Sequence, residues 1–482
     1  TTVPQGWVCK RLIECTDDES ISYGIVQPGQ HVDNGIPVIR INNVNNGQLD
    51  LEDVLKVSPE IEHKYERTRL HGGEVLLTLV GSTGQSFVAP KELKGWNVPR
   101  AIAVIRAKSE IGADWINICL QSQETKHFLD VRANTTVQKT LNLKDVRDIP
   151  ILIPPKEVKE SIENMALSLS NKIELNRQMN QTLEDIAQAL FKNWFVDFEP
   201  VKAKMIVREK GGNALAQSLA AQAIIAGTLT LQQLEAMETT PLALEETIHP
   251  FVVKNVESSG SDFWMPEQLE SLASLFPNAL TESELGEIPE GWIPKTFGDV
   301  SQCFDSKRIP LSKKKREEKK PGQIPYHGAT SVMDYVNEWI FDDIYLLLGE
   351  DGSVIKKDGS PFVQYIWGKS WVNNHAHVLQ GKNGVSTEQL MLFIQGQNIT
   401  AYITGAVQLK LNQGNMNSIP FLDAGAELNA FFYKLITPTY KKIRCTIEEN
   451  QSLTELRDTL LPKLLSGELT VSKKLPVKKA GM

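Results

Sequence analysis

Asn180-Gln181-Thr182-Leu183-Glu184-Asp185-Ile186-Ala187-Gln188-Ala189-Leu190 returns 270 residues later as Asn450-Gln451-Ser452-Leu453-Thr454-Glu455-Leu456-Arg457-Asp458-Thr459-Leu460. The same offset relates Val137-Gln138 to Val407-Gln408, and Ile149-Pro150 to Ile419-Pro420. Unrelated segments do not keep one register over about fifty positions, so the sequence indicates a duplicated module. A tandem pair of diverged copies typically engages two targets, or one target in two places.

The composition is that of an ordinary globular protein, with 482 residues, 41% of them hydrophobic and 23% charged. Stretches of about 18 apolar residues are absent, so no membrane span is expected. Thr1-Thr2-Val3-Pro4 lacks the start of a secretory signal, and the five scattered cysteines form no CxxC pair. These features predict a cytoplasmic protein without disulfides or a zinc site.

The charge is distributed unevenly along the chain. The net charge is −8, yet residues 199–290 carry 14 acidic and 5 basic residues, so the remainder is close to neutral. A basic run, Lys313-Lys314-Lys315-Arg316-Glu317-Glu318-Lys319-Lys320, lies in the second copy. Such a run is most often a solvated loop, and the alternative is contact with DNA phosphates.

Two long helices are predicted, each after a β-rich unit. From Val158 to Trp194 apolar residues recur every three or four positions, which predicts a helix of nearly 60 Å, at about 1.5 Å per residue. Leu428 to Leu465 repeats the pattern, with a break or kink expected at Pro438. These faces are typical of a coiled-coil seam, antiparallel if the copies are related by a pseudo-dyad. The predicted seam residues are Ile173, Asn180, Leu183, Leu190, Ile443, Asn450, Leu453 and Leu460.

Asn180 and Asn450 are equivalent positions of the seam. We consider two alternatives: that both amides are buried and fix the register of the helices, or that both point to solvent.

The sequence therefore predicts an α+β protein with a pseudo-two-fold internal repeat. Its segments are a β-rich domain (1–155), a first long helix (156–198), an acidic connecting insert (199–285), a second β-rich domain (286–425) and a second helical region with the tail (426–482). In the first domain we expect strands at 36–41, 74–80, 101–105 and 149–153 and a helix from Asp114 to Val131. In the insert we expect one helix from Ala214 to Met237.

Signatures of catalysis are missing. Gly368-Lys369-Ser370 resembles the end of a P-loop, but Val363 replaces the first glycine that the phosphate-binding loop needs. His375 and His377 lie on one strand face without a carboxylate motif to complete a metal site. The sequence predicts a non-catalytic chain that binds no metal or cofactor itself.

Polar residues suited to reading base edges occupy the predicted tips of both β-rich domains. In copy one they are Arg40, Asn42, Asn43, Asn45, Ser82, Thr83, Gln85, Asn97 and Arg100, and in copy two His327, Thr330, Ser331, Asp351, Ser353, Lys356, Asn373, Asn374 and His375, with Lys313, Lys314 and Lys315 as phosphate contacts. Taken singly, Asn and Ser are more often turn formers. Taken together, the loops keep Gly81 and Gly84, or Gly349 and Gly352, while their polar residues differ, as two readers of different sequences would.

With these residues assembled, the chain resembles the DNA-specificity subunit of type I restriction-modification systems. The resemblance covers nearly the whole length. It rests on the two Pro-x-Gly-Trp segments at 4–7 and 289–292, on 149–155 (Ile-Pro-Ile-Leu-Ile-Pro-Pro), on the helix end at 190–198 and on 460–469. Copy two has Ile-Pro-Phe-Leu-Asp-Ala-Gly in place of 149–155, so its junction between domain and helix is expected to differ.

The resemblance implies two target-recognition domains, each reading one half of a bipartite site in double-stranded DNA. It implies two methyltransferase subunits docked on the helices, which would bring S-adenosylmethionine and methylate a flipped adenine in each half-site. ATP- and Mg-dependent restriction subunits would complete the complex. The alternatives are a two-lobed scaffold that does not contact DNA and, disfavoured by the missing motifs, a self-sufficient methyltransferase.

Overall fold

The structure is a computed structural model, and it describes residues 3–40, 43–45, 48–49, 51, 54–81, 83–133, 140–238, 240–258, 266–405 and 408–470. The chain divides into two compact units, the first built from two stretches of sequence and the second from one. Unit 1 comprises Thr1–Arg177 and Thr446–Met482, and unit 2 comprises Gln178–Cys445.

Unit 1 contains the first β-rich domain, called the first recognition domain after the role that the resemblance implies. Its elements are β1 (Val8–Arg11), β2 (Thr16–Tyr23), β3 (Ile36–Val38), β4 (Val44–Asn45), β5 (Gln48–Leu49), β6 (Leu55–Val57), α1 (Pro59–His63), β7 (Val75–Thr78), β8 (Ser86–Val88), β9 (Ile102–Ala107), α2 (Ala113–Gln121), α3 (Gln123–Arg132), α4 (Leu143–Arg147) and β10 (Pro150–Ile153). An antiparallel four-stranded sheet runs in the order β2-β9-β7-β8, and β1 pairs with β10. Helix α5 (Lys156–Phe191) follows and enters unit 2 after Arg177.

Unit 2 contains the insert and the second recognition domain. The insert holds α6 (Glu199–Glu209), α7 (Ala214–Ile225), α8 (Leu231–Glu235), α9 (Leu244–Ser258) and α10 (Pro266–Leu275). The domain follows with β11 (Leu280–Ser283), β12 (Gly286–Pro289), β13 (Ile293–Thr296), α11 (Phe297–Val300), β14 (Ser301–Cys303), α12 (Lys313–Glu318), β15 (Ile324–His327), β16 (Val332–Val336), β17 (Phe341–Asp342), β18 (Tyr345–Gly349), β19 (Val363–Ile366), β20 (Lys369–Val372), β21 (Ala376–Gly381), α13 (Thr387–Gln395), α14 (Gln413–Asn417) and β22 (Pro420–Asp423). Helix α15 (Ala426–Leu465) starts in this unit and ends in unit 1.

The two recognition domains share one topology, which confirms the internal repeat and the α+β class. The sheet β14-β21-β18-β19 of unit 2 repeats the order β2-β9-β7-β8, and β13 pairs with β22 as β1 does with β10. The strand pairing does not support the match between Gly81 and Gly349 that the sequence predicts. Thr78 pairs with the first residue of β9 and Gly349 with the first residue of β21, so Gly349 corresponds to Thr78 and not to Gly81. Unit 2 adds a second sheet, β16-β15-β20-β17.

The predicted helices are present, with three differences. Helix α15 continues through Pro438 without the expected break, within a 40-residue helix. The segment predicted as one helix from Asp114 to Val131 is α2 and α3, because Ser122 adopts an extended conformation and caps α3 by accepting from the amide of Thr125. The single insert helix is α7 and α8, since Gly227 has a φ of 70°. Among the described residues no helix has both the length and the apolar character needed to cross a membrane.

Within each unit the two long helices pack antiparallel. In unit 1, Ile162 and Ala166 of α5 share a core with Leu461 and Leu464 of α15, and further along α5 Asn176 reaches back to Asn450. In unit 2, the ring of Phe191 lies 6.0 Å from that of Phe432, and Asn180 bonds to the carbonyl of Ile443.

In each copy of the repeat, a seam asparagine donates a hydrogen bond to a backbone carbonyl of the opposite helix. The Nδ2 of Asn180 donates to the carbonyl of Ile443 over 3.4 Å in unit 2, and that of Asn450 donates to the carbonyl of Ile173 over 3.2 Å in unit 1. Asn176, fully buried, donates to Asn450 over 2.8 Å. The first of the two alternatives is therefore the observed one for Asn180, which is buried, while Asn450 is half-buried and bonded across the seam.

The apolar seam residues follow the same repeat. Ile173 and Ile443 are buried, while Leu183, Leu190, Leu453 and Leu460 are half-buried.

The junction between domain and helix differs between the copies, as predicted from the divergent sequences after Ile149-Pro150 and Ile419-Pro420. In unit 1 the indole of Trp115 donates to the carbonyl of Leu152 over 2.9 Å. In unit 2 the junction has polar side-chain contacts instead: the carboxylate of Asp423 accepts hydrogen bonds from Lys295 and from Asn429, each over 2.7 Å. Each recognition domain is thus fixed to its helix by its own set of contacts.

Candidate nucleic-acid interface

The loops that carry the predicted contacts of copy two are bonded to one another. The amide of Asn373 donates to the carbonyl of His327 over 3.1 Å, and the amide of Glu350 to the carbonyl of His375 over 2.8 Å. The amide of Leu411 donates to the carbonyl of Glu350 over 2.8 Å. We call the surface formed by residues 327–331, 350–357, 373–375, 404–405 and 408–411 the recognition face of unit 2.

Most of the predicted contacts on the recognition face are accessible. Thr330, Ser331, Ser353, Lys356 and Asn374 are exposed. His375 is partly exposed, and its Nδ1 is hydrogen-bonded to the carboxylate of Asp351. This pair leaves a carboxylate oxygen and an imidazole edge that can meet base edges.

Two predicted contacts lie inside the domain instead. Asn373 is buried, and its side-chain oxygen accepts from the amide of His375 over 2.8 Å, so it stabilises the turn. His327 is only 6% exposed. The Nε2 of Gln364 donates to the carbonyl of Gly328, so the Oε1 of Gln364 faces Nδ1 of His327 at 3.2 Å, and Nδ1 carries the proton. Neither side chain faces outward.

The basic run is divided between structural and free cations. It forms α12, in which Arg316 pairs with Asp334 over 2.9 Å and Lys319 with Glu338 over 2.6 Å. Lys320 also lies 3.5 Å from Asp334. Lys313, Lys314 and Lys315 form the first half of the helix and are exposed. Three cations of the run are therefore accessible to a ligand.

In unit 1, too, some of the predicted contacts are accessible and others are buried. Arg100 is exposed, and Thr83 and Gln85 are half-exposed at the turn between β7 and β8. Asn97 is fully buried: its Nδ2 donates to Glu62 over 3.0 Å, and its Oδ1 accepts from Thr68 over 2.9 Å.

Asn97 therefore belongs to the core of the domain. Hydrogen bonds from Arg69 and Asn97 outweigh the effect of burial and hold the pKa of Glu62 below its usual value.

Two of the remaining predicted contacts of unit 1, Arg40 and Asn43, follow the end of β3. Asn43 is buried and accepts from the amide of Arg40 over 3.0 Å. Arg40 is half-buried and engaged with other groups. Asn42, Ser82 and the side chain of Asn45 lie outside the described residues.

An ion-pair cluster beneath the recognition face was missed by the sequence reasoning. His377, 1% exposed, lies 2.5 Å from Asp305, and its Nε2 donates to the carbonyl of Leu411 over 2.8 Å. Arg308 bonds Glu350 over 2.7 Å and lies 3.1 Å from Asp305. Burial raises the pKa of Asp305, but the bonds from His377 and Arg308 outweigh it and hold that pKa below its usual value. The cluster ties β14, β18 and β21 together below the loops.

Cys303 adds a third possible metal ligand to Asp305 and His377, with all three ligand atoms within 4.8 Å of one another. The chemistry of the group does not favour a cation. Burial raises the pKa of Cys303 to about 12, so the thiol stays protonated, and the Arg308 guanidinium already neutralises Asp305. The cluster is better described as a buried ion-pair network.

A polar face on each of two repeated β-rich domains, each joined to a long helix, defines a two-headed binding protein. A family model described as type I restriction modification DNA specificity domain matches residues 29–185 and again residues 289–422. The chain belongs to this family, and the double match agrees with the duplicated topology. The resemblance seen in the sequence is thereby confirmed.

Several relatives carry the same description. The HindI specificity subunit of Haemophilus influenzae is 27% identical over 431 residues, covering 82% of this chain and 86% of the relative. The MjaIX specificity subunit of Methanocaldococcus jannaschii is 21% identical over 419 residues, covering 83% and 78%. These relatives are named as specificity subunits of restriction enzymes, which confirms the prediction of a non-catalytic DNA-recognition subunit.

Two solved structures are also similar. The S subunit of a type I system from M. genitalium has a TM-score of 0.48 and 13% identity, covering 95% of this chain and 96% of that one. The HsdS subunit from Thermoanaerobacter tengcongensis has a TM-score of 0.31 and 11% identity, covering 97% and 99%.

The burial of His327 predicts a pH dependence of stability. Burial lowers the pKa of His327 below its ordinary value of 6.5, so folding favours the neutral ring. The unfolded chain then binds more protons below about pH 6.5, and the free energy of unfolding falls as the pH falls through that range. We expect His327→Asn to lose less stability than the wild type between about pH 8 and about pH 5.5 in thermal unfolding. Equal losses in the two proteins would contradict this placement of His327.

Proposed function

We propose that this subunit reads a bipartite site in double-stranded DNA, with one recognition domain on each half. The observation that carries the proposal is a repeated sheet order with different polar residues on the loops. A shared framework gives each domain the same way of approaching a duplex, and different side chains give each a different base preference. Two readers are needed because one offers few base contacts, each good bidentate pair contributing about 1–3 kcal/mol of discrimination.

Phosphate contact in the second half-site would come from the start of α12. Lys313, Lys314 and Lys315 are exposed, whereas Arg316 is committed to Asp334. Cations with no ion pair among the residues that the structure describes lose little on binding a phosphate and release counterions from the DNA. This division supports DNA contact over the solvated-loop alternative for the first half of the run.

Docking of two methyltransferase subunits would use the long helices. Ile186 of α5, in unit 2, and Leu456 of α15, in unit 1, are repeat-equivalent positions, and both are 46% exposed. Single exposed apolar side chains are common on protein surfaces, but here the same position is exposed in both copies of the repeat. Their equivalence supports two similar docking sites, one for each partner copy.

The partners would supply the chemistry. S-adenosylmethionine would be held by the methyltransferase subunits, which would flip and methylate an adenine in each half-site. ATP and Mg would be used by the restriction subunits. This chain would orient those subunits on the DNA, and linking two readers would strengthen binding by roughly 10²–10⁴ over either domain alone.

A domain exchange tests the two-reader proposal. The first recognition domain would be replaced by that of the HindI relative, and adenine methylation would be mapped by single-molecule sequencing in cells that also express the methyltransferase subunit. We expect a bipartite motif in which only one half changes. Methylation that is unaffected by the exchange would favour the scaffold alternative.

Removing the free cations tests the phosphate contacts. We expect K313Q/K314Q/K315Q to weaken DNA binding by the assembled complex and to reduce the slope of log affinity against log salt by about 3, at about 0.9 per phosphate. Lys91→Gln with Lys94→Gln is the control, because these exposed lysines lie at the end of the β7–β8 hairpin opposite its turn. If the triple variant keeps the wild-type slope, α12 does not contact the backbone.

The docking sites are tested by the stoichiometry of the complex. Native mass spectrometry of the wild-type assembly should show two methyltransferase subunits. Ile186→Glu and Leu456→Glu should each cause the loss of one subunit, because burying a carboxylate at an apolar contact is costly. The double variant should retain neither. Val131→Glu is the matched control, because Val131 is 68% exposed on α3. Two subunits bound to both single variants would disprove the assignment.

A further inference from the structure

An exposed methionine lies beside the recognition face of unit 2, at a break in the strand pairing. Strands β15 and β16 pair Tyr326 with Asp334 and His327 with Val332, so Met333 has no partner and is the extra residue of a β-bulge. Strand β16 is the edge of its sheet, and the side chain of Met333 is 54% exposed. Bulges at sheet edges commonly turn a side chain toward a binding site. The bulge therefore gives Met333 a direction that regular pairing of β16 would not give it.

The side chain of Met333 lies flat against two turns of the recognition face. A Cβ atom on residue 328, a glycine, would lie 2.5 Å from the Sδ of Met333 and 2.8 Å from its Cγ, so a larger residue there would displace the methionine. The Nδ2 of Asn373, a buried residue, donates a weak hydrogen bond to the same sulfur over 3.4 Å. The turns at 327–331 and 373–375 therefore hold this side chain in place and leave more than half of it open to solvent.

Polar groups surround this methionine. Thr330 and Asn374 are exposed in the two turns that hold it. The next residue, Asp334, pairs with Arg316 over 2.9 Å and so attaches α12, with its exposed lysines, to β16. The fully buried centre of a protein–protein interface is more apolar than this. A small apolar spot within a polar face suits DNA better than a protein partner.

We propose that Met333 contacts the C5-methyl group of a thymine in the half-site read by unit 2. The inference rests on the proposed function. Base edges in the major groove carry hydrogen-bond donors and acceptors, and the methyl of thymine is the apolar group among them. An apolar side chain gains by removing that methyl from water. Flipping takes the target adenine out of the duplex and leaves the thymines in it, so this contact is compatible with methylation.

A methionine can also contact DNA as a wedge between base steps of the minor groove. A wedge needs a side chain that projects from the protein surface. The sulfur of Met333 instead lies against Gly328 and Asn373. A side chain that lies flat on the surface suits contact with a methyl group on a base edge.

Replacing thymine by uracil tests the contact, because uracil lacks the methyl group and still pairs with adenine. The complex of this chain with its methyltransferase subunits would be titrated, without methyl donor, with a duplex carrying its own methylated motif. The half-site read by unit 2 is the half that the exchange of the first recognition domain leaves unchanged. Each thymine of that half-site would be replaced by uracil, one at a time. The target adenine pairs with a thymine, so at least one such duplex exists.

At one position, uracil should weaken binding by the wild-type complex about 4-fold, the loss expected for one buried methyl group. Met333→Ala should bind the natural duplex about 4-fold or more weakly and should not distinguish it from the uracil duplex. Met333→Leu keeps an apolar side chain and should still distinguish the two duplexes. Assembly of each variant with its partners, measured by native mass spectrometry, controls for folding.

Trp339→Ala is the matched control, because it removes another exposed apolar side chain of unit 2. The Nζ of Lys369 lies 3.7 Å from the centre of the Trp339 ring. Lys369 begins β20, and the turn at 373–375 follows the end of that strand, so Trp339 lies at the other end of the sheet from the recognition face. This variant should bind both duplexes as the wild type does.

Three outcomes would overturn the inference. If no uracil duplex binds the wild-type complex more weakly, Met333 does not contact a thymine methyl, whether or not Met333→Ala weakens binding. If Met333→Ala keeps the wild-type discrimination, another residue contacts the methyl. If Met333→Ala lowers the melting temperature and leaves both affinities unchanged, the methionine only covers Asn373. A wild-type complex without any bipartite motif would instead disprove the proposed function, so the two failures are distinguishable.

Discussion

Hydrogen bonds from seam amides to backbone carbonyls fix the register of the two long helices within each unit, and each recognition domain is joined to one of these helices. Asn180 bonds the carbonyl of Ile443 in unit 2, and Asn450 bonds that of Ile173 in unit 1. The side-chain oxygens of Asn176 and Asn180 are buried without a partner among the described residues. Each such oxygen costs about 1–3 kcal/mol, comparable to what the amide bonds return, so these residues add little net stability. What they add is specificity, because any other register would also bury their unpaired NH₂ groups.

The recognition domains show how a duplicated framework can diverge. The sheet order is the same in both domains, whereas the junctions to the helices differ. The junction contact is made by the indole of Trp115 in unit 1, and by Asp423 with its lysine and asparagine partners in unit 2. The ion-pair cluster around His377 stiffens the loops of the second domain from below. A rigid base allows the exposed residues above it to change without loss of geometry, which is what a reader of varied sequences requires.

Much of the fold was predictable from the sequence, and much of the site was not. The three- and four-residue spacing of apolar positions predicts both long helices, and turn residues predict the strand ends. Pro438 is tolerated because the packing of α15 on both sides outweighs one lost hydrogen bond. Asn97 and Asn373 have the composition of base readers, but their partners, Glu62 and the amide of His375, come from distant or turn-specific geometry. Sequence alone gives the residue types of a recognition face and not the direction in which each side chain points.

Charge explains why recognition is divided among subunits. Outside residues 199–290 the chain is close to neutral, and half of the cations of the basic run are already paired, so the recognition domains bring few free positive charges to the DNA. Affinity for a duplex grows with the number of neutralised phosphates, while base contacts chiefly discriminate between sequences. A reader with modest charge binds random DNA weakly and so depends on correct contacts in both half-sites. The acidic insert does not offset this deficit, because residues 199–290 carry 14 acidic and 5 basic residues and a surplus of negative charge adds no attraction to a phosphate backbone.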